Sequence, residues 1–193
     1  MSTSGPARNV VRDDVIVLIG YRGCGKSSVG RRLAEKLGWQ FVDTDELVEQ
    51  QAGCPVREIF ARQGAGAFRK LEAEVLAEAL SGRGRVISAG GGAVLLRRNR
   101  KLLRGTGVCV WLTAPPEVLY QRICADHTSP ERRPDLTDLG GLAEVEEVLQ
   151  QRLPIYEATA DHVVSTVDLS VEQVAEAILQ RLGVVVPPAG EAR

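Results

Sequence analysis

The chain has 193 residues, of which 44% are hydrophobic and 25% charged, with a formal net charge of −1 at pH 7. A chain this long forms one domain that buries roughly 70% of its unfolded surface without staples. The near-zero charge excludes a bulk nucleic-acid binder, which carries a basic face, and no apolar run approaches the ~20 residues that span a bilayer.

Residues 1–13 are polar and hold Ser, Gly and Pro, so a flexible N-terminal extension is expected; Met1 to Asp14 lacks the apolar core of a signal peptide. Val15-Ile16-Val17-Leu18-Ile19 is apolar throughout, as a strand buried on both faces should be. Directly after it comes Gly20-Tyr21-Arg22-Gly23-Cys24-Gly25-Lys26-Ser27, which fits the phosphate-loop pattern of Gly, four residues, then Gly-Lys-Ser. Glycines let the backbone N–H groups converge with no Cβ in the way of a phosphate. The helix that follows, from about Lys26 to Leu37, adds the positive end of its dipole. Lys26 can reach β- and γ-phosphates, and the hard oxygen of Ser27 suits Mg²⁺. A nucleoside triphosphate site is therefore expected here. Cys24 reads either as a thiol activated by loop amides or simply as a small tolerated residue.

Gln40-Phe41-Val42 forms a short second strand that ends in Asp43-Thr44-Asp45, where Thr44 or Asp45 is expected to cap a helix towards Gln51. A longer helix starts near Val56, pauses at Gly64-Ala65-Gly66 and resumes through Phe68, Leu71, Val75, Leu76 and Leu80. Arg85 to Ser88 is a third strand and runs into Gly90-Gly91-Gly92. A helix from Ala93 to Leu103 carries Arg97, Arg98, Arg100 and Lys101, read as a solvated face. Val108 to Leu112 is a fourth strand with Cys109 in its core, and Pro115-Pro116-Glu117 opens another helix. Residues 126–141 are a long polar excursion, expected to be a mobile lid. A helix from Leu142 to about Tyr156, a strand at Val163-Val164, a helix from Val171 to Leu182 and a flexible tail over 184–193 complete the chain.

Strands alternating with helices predict an α/β domain over residues 14–183 with a parallel sheet, its ligand crevice at the carboxyl ends of the strands. Strand three ends in glycine rather than an acid, which moves the metal argument to Ser27 with Asp43, acting through water. Asp43 and Asp45, two residues apart in an extended segment, face the same way, one for a Mg²⁺ water and one for an acceptor hydroxyl; the competing reading is that they cap the next helix. Gly90, Gly91 and Gly92 let a flat or polyhydroxylated ligand press against backbone amides. Arg69, with Glu72 three residues on, reads by itself as a solvent-facing ion pair, and Arg152 carries no signal alone. Arg132-Arg133-Pro134 in the expected lid suits the neutralisation of a transferring phosphate.

Taken together, these motifs resemble the shikimate kinase family from about Val15 to Leu182. The resemblance rests on the phosphate loop, Asp43-Thr44-Asp45, Phe68-Arg69 with Glu72, the triple glycine, Arg133-Pro134, and Arg152 with Pro154 and Tyr156. It implies a three-layer αβα P-loop kinase fold with a central five-stranded parallel sheet, and transfer of the ATP γ-phosphate to the 3-hydroxyl of shikimate. ATP and Mg²⁺ are then the cofactors and shikimate the small-molecule partner, with no nucleic acid or membrane, in a cytoplasmic monomer. Gly23, Cys24, Gly25, Lys26, Ser27, Ser28 and Arg133 would hold the phosphates, and Lys26, Arg133 and the proton acceptor Asp45 would be catalytic. Arg69 and Arg152 would hold the substrate carboxylate beside Asp45 and Gly90 to Gly92. Gly64 is followed by Ala65 where the family often has Gly-Glu, and Asp135 follows Pro134 where leucine is usual. The rivals are a kinase for another small hydroxy acid, such as gluconate, and a nucleotide-binding relative without transfer chemistry.

Overall fold

β1 (Val15–Ile19) is buried along its whole length because it is the middle strand of the sheet. In the computed structural model, which describes residues 15–126 and 140–184, β1 pairs in parallel with β3 (Arg85–Ser88) on one side and β4 (Val108–Thr113) on the other. β2 (Gln40–Asp43) lies outside β3, and β5 (His162–Ser165) lies outside β4, so the order is β2-β3-β1-β4-β5. All pairings are parallel, and the crossovers carry the helices. The expected extension over 1–13, the central part of the expected lid with Arg133, and the tail from 185 onwards lie outside the described residues.

α1 (Lys26–Leu37) and α7 (Val171–Arg181) pack on each other. α4 (Arg97–Gly105) packs between α3 (Val56–Leu80) and α6 (Gly141–Thr159), which completes a three-layer architecture. α5 (Pro116–Ala125) lies against α6, and α2 (Thr44–Ala52) against α3. A separate apolar cluster of Val48, Val56, Ile59, Phe68 and Val75 joins α2 to α3 beside the end of β2. In the main core Trp111 stacks on Tyr156 with ring centres 5.7 Å apart. Burial pushes the neighbouring Cys109 thiol up to about 12, an inert core group.

Three local expectations change. Neither Thr44 nor Asp45 caps α2; Asp43 does, accepting from the Asp45 amide. Asp45 is therefore helical, and the two carboxylates do not share one extended face. The helix expected from Ala93 to Leu103 is broken at Leu96, whose extended backbone separates a 3₁₀ turn (Ala93–Leu95) from α4. Arg100 donates to the Val94 and Leu95 carbonyls at 2.7 and 2.8 Å, so it replaces hydrogen bonds lost at that break. That arginine belongs to the fold rather than to a solvated face. The pause at Gly64 is present, with φ 77° inside α3.

The α1–α7 contact is tied at its surface by Glu172, which accepts from both Arg32 and Lys36. These partners hold its carboxyl down to about 2, from an ordinary 4.5. A depressed folded-state pKa stabilises at pH above the unfolded value and is lost as pH falls through the folded one. Wild type should thus exceed Glu172→Gln in thermal midpoint at neutral pH and low salt. The gap should shrink from pH 4.5 towards pH 2, and also in molar salt, because the pair is exposed. A gap independent of both would remove the ionic account.

Candidate active site

The phosphate loop leaves β1 and enters α1 through glycines that only glycine satisfies. Gly23 has φ 80°, and a Cβ there would lie 2.9 Å from the Leu119 carbonyl oxygen. Gly25, at φ 92°, stands at the N-cap of α1 with no side-chain cap, and the first turn holds no acid. Its amides are thus left for an anion. Lys26 is only 8% exposed, and its Nζ donates to the carbonyls of Gly20 and Tyr21 at 2.9 and 3.0 Å. The ammonium is folded over its own loop. Cys24 is fully buried in the core, which favours the small-residue reading over a reactive thiol.

Asp43 ties this loop to the rest of the site. Its Oδ2 accepts from Ser27 Oγ at 2.6 Å while Oδ1 accepts from the Asp45 amide at 3.0 Å. Capping and a site at the phosphate loop are therefore one arrangement, not alternatives. Next to Asp43, the buried Thr44 hydroxyl accepts from the Gly90 amide at 2.9 Å. Gly90 lies so close to Asp45 that an added Cβ would meet Asp45 Oδ1 at 2.6 Å and Glu72 Oε1 at 3.1 Å.

Arg69 donates to Glu72 at 2.6 Å, as the spacing predicts, yet Glu72 is only 1% exposed. The pair is not solvent-facing. Burial pushes the Glu72 carboxyl above its ordinary range, opposed by Arg69 and Arg152. Two arginines from different helices thus stand near one buried carboxylate. The Arg69 guanidinium closes over Gly92, where a Cβ would collide with it. Arg152 Nη1 donates to the Gly91 carbonyl at 3.2 Å, and the Tyr156 hydroxyl donates to the same oxygen at 2.8 Å.

A cavity of about 670 Å³ runs over the loop, lined by Gly23, Cys24, Gly25, Lys26, Ser27 and Ser28 and continuing past Asp43 and Asp45. Gly90 to Gly92, Arg69 and Arg152 form a contiguous group beside it, joined at Asp45. Ser27 Oγ and the Asp43 carboxylate are hard oxygen donors at one end of the cavity. That is the sparse set Mg²⁺ takes when water and phosphate complete its shell. Arg122 also lines the cavity and donates to the Thr166 hydroxyl and carbonyl at 2.8 and 2.7 Å. Sequence reasoning gave no sign of this tie, or of the buried pair that Arg22 makes with Glu144.

A family model described as shikimate kinase matches residues 22–183. The chain belongs to the shikimate kinase family. A shikimate kinase of Symbiobacterium thermophilum is 46% identical over 167 residues, covering 86% of this chain and 95% of that protein. One from Rhodopirellula baltica is 39% identical over 170 residues, covering 88% and 91%. Among solved structures, the Acinetobacter baumannii shikimate kinase in complex with shikimate superposes with a TM-score of 0.84. It is 33% identical, with 92% of this chain and 97% of that one covered. A gluconokinase of Sinorhizobium meliloti, at 20% identity and a TM-score of 0.55, shares the fold alone.

Gly90 tests how tightly the shikimate kinase site is built, because its backbone is not in the left-handed region and the cost of a side chain there is contact with Asp45. Gly90→Ala should fold normally by circular dichroism and lose about a hundredfold in turnover, as displaced reacting groups do. Unchanged turnover would mean the Asp45 position is not critical.

Proposed function

We propose that the chain transfers the γ-phosphoryl group of ATP to the 3-hydroxyl of shikimate, giving shikimate 3-phosphate and ADP. The observation that carries this reading is the place of Asp45. Its carboxylate lines the phosphate cavity and also lies against Gly90, at the edge of the Arg69–Glu72–Arg152 group. A group at that seam suits a hydroxyl that must meet a phosphate in line.

In this reading the loop amides and Lys26 hold the phosphates. The Lys26 ammonium, now on the Gly20 and Tyr21 carbonyls, needs only to exchange one acceptor for a phosphate oxygen. Mg²⁺ bound at Ser27, and through water at Asp43, would neutralise charge on the triphosphate. Asp45 orients the acceptor hydroxyl and takes its proton as the oxygen–phosphorus bond forms and ADP departs. Arg69 and Arg152 take the acceptor carboxylate, a match for planar forked donors, with Glu72 holding Arg69 in place. The Gly90–Gly92 turn admits the ring against the backbone, and Arg133 adds charge from the expected lid. The working setting is the cytoplasm, and the partners are the two small substrates.

A coupled ADP-release assay with shikimate, with gluconate and with no acceptor tests this directly. Release dependent on shikimate is expected; release with gluconate alone, or equal release without acceptor, would replace the reading by a rival. Asp45→Asn should keep ATP affinity within about twofold while turnover falls about 10²–10⁴-fold. Arg152→Ala should raise the KM for shikimate far more than that for an analogue lacking the carboxylate, and equal losses for both would remove the clamp.

A further inference from the structure

α6 reaches the phosphate loop and the glycine turn with side chains spaced for one helix face. Near its start Glu144, fully buried, accepts from Arg22 Nη2. Two turns on, Arg152 donates to Gly91 and stands 5.8 Å from the centre of the Tyr21 ring. One turn further, the Tyr156 hydroxyl donates to Gly91 again. Tyr21 and Arg22 are adjacent in the loop, and Arg22 in turn lies 5.8 Å from the Tyr21 ring centre. Tyr21 is only 1% exposed, so two arginines flank a fixed aromatic wedge.

A buried carboxylate against a largely buried guanidinium (side-chain exposures 0% and 14%) is a weak source of net stability, because desolvation offsets the attraction. Register is the best-attested use of such a buried pair. We propose that Arg22 and Glu144 are a positioning pair that registers α6 on the phosphate loop and thereby sets Arg152 at the acceptor's carboxylate. This rests on the reading of Arg152 given above. Arg22 also lines the phosphate cavity, so the pair's role toward the acceptor is read as the excess of the shikimate KM change over the ATP KM change.

Steady-state kinetics on R22K, the charge-neutral R22M/E144Q, R152A and the triple variant test this, each with shikimate and with an analogue lacking the carboxylate. R22M/E144Q should raise the shikimate KM about tenfold, well beyond any change in the ATP KM, since small misplacements of a binding group are costly. The KM for the analogue should barely move. Adding R152A to that background should cost much less than R152A costs alone, as coupled residues require. R22K, which keeps the charge but loses the planar fork, should fall between wild type and the double variant and gives a second readout if the double folds poorly. Strict additivity with R152A, a change in ATP KM alone, or an unchanged shikimate KM in both Arg22 variants would overturn the pairing role. An R152A enzyme with an unaltered shikimate KM would remove the carboxylate reading itself, and the pair's role with it.

Discussion

The Asp43 carboxylate joins the phosphate-loop helix to the helix that carries Asp45. One oxygen holds the Ser27 hydroxyl, in the first turn of the helix behind the phosphate loop, and the other caps the helix carrying Asp45. Its strand position is fixed in turn by parallel pairing with Ser88, the last residue before the segment that leads into the glycine turn. The ends of β2 and β3 and the first turn of α1 thus meet at a residue that is only 9% exposed. In that setting an ionised oxygen makes stronger hydrogen bonds than it would in water.

The cations of the site are held before any ligand is bound. Lys26 lies on loop carbonyls, Arg69 on Glu72 and Arg152 on the Gly91 carbonyl. Each arginine is braced by a group that leaves part of its fork for a further partner. Charged groups fixed in advance lower the reorganisation that an incoming ligand requires.

The features legible in the sequence are those that a residue type imposes on its own neighbourhood. The apolar run of β1, the phosphate-loop glycines Gly20, Gly23 and Gly25 at positive φ, and the kink at Gly64 match their expected places. The parallel sheet followed from the alternation of strands and helices, and its five-stranded, three-layer form was what the family resemblance implied. What was hidden depends on partners far apart in the chain. Arg22 meets Glu144 across 122 positions and Arg122 meets Thr166 across 44, and no local pattern marks either arginine as taken. The burial of Glu72 was hidden for the same reason: the spacing from Arg69 predicts a pair but not the layer it lies in. Asp43 and Asp45 were misjudged in a different way. A cap and an extended pair share the same residue types, and only the backbone at Thr44 decides between them.

The central place of β1 also constrains how the chain can be made. Val17 finds its lateral partners at Ile87 and Cys109, so this wholly apolar strand is synthesised long before either neighbour. Until β3 leaves the ribosome, Val15–Ile19 has two open edges and no charge to blunt them, and one edge stays open until β4 follows. Such distant pairing folds slowly. The phosphate loop leaves β1 directly, so it gains a base supported on both edges only once β4 has joined the sheet.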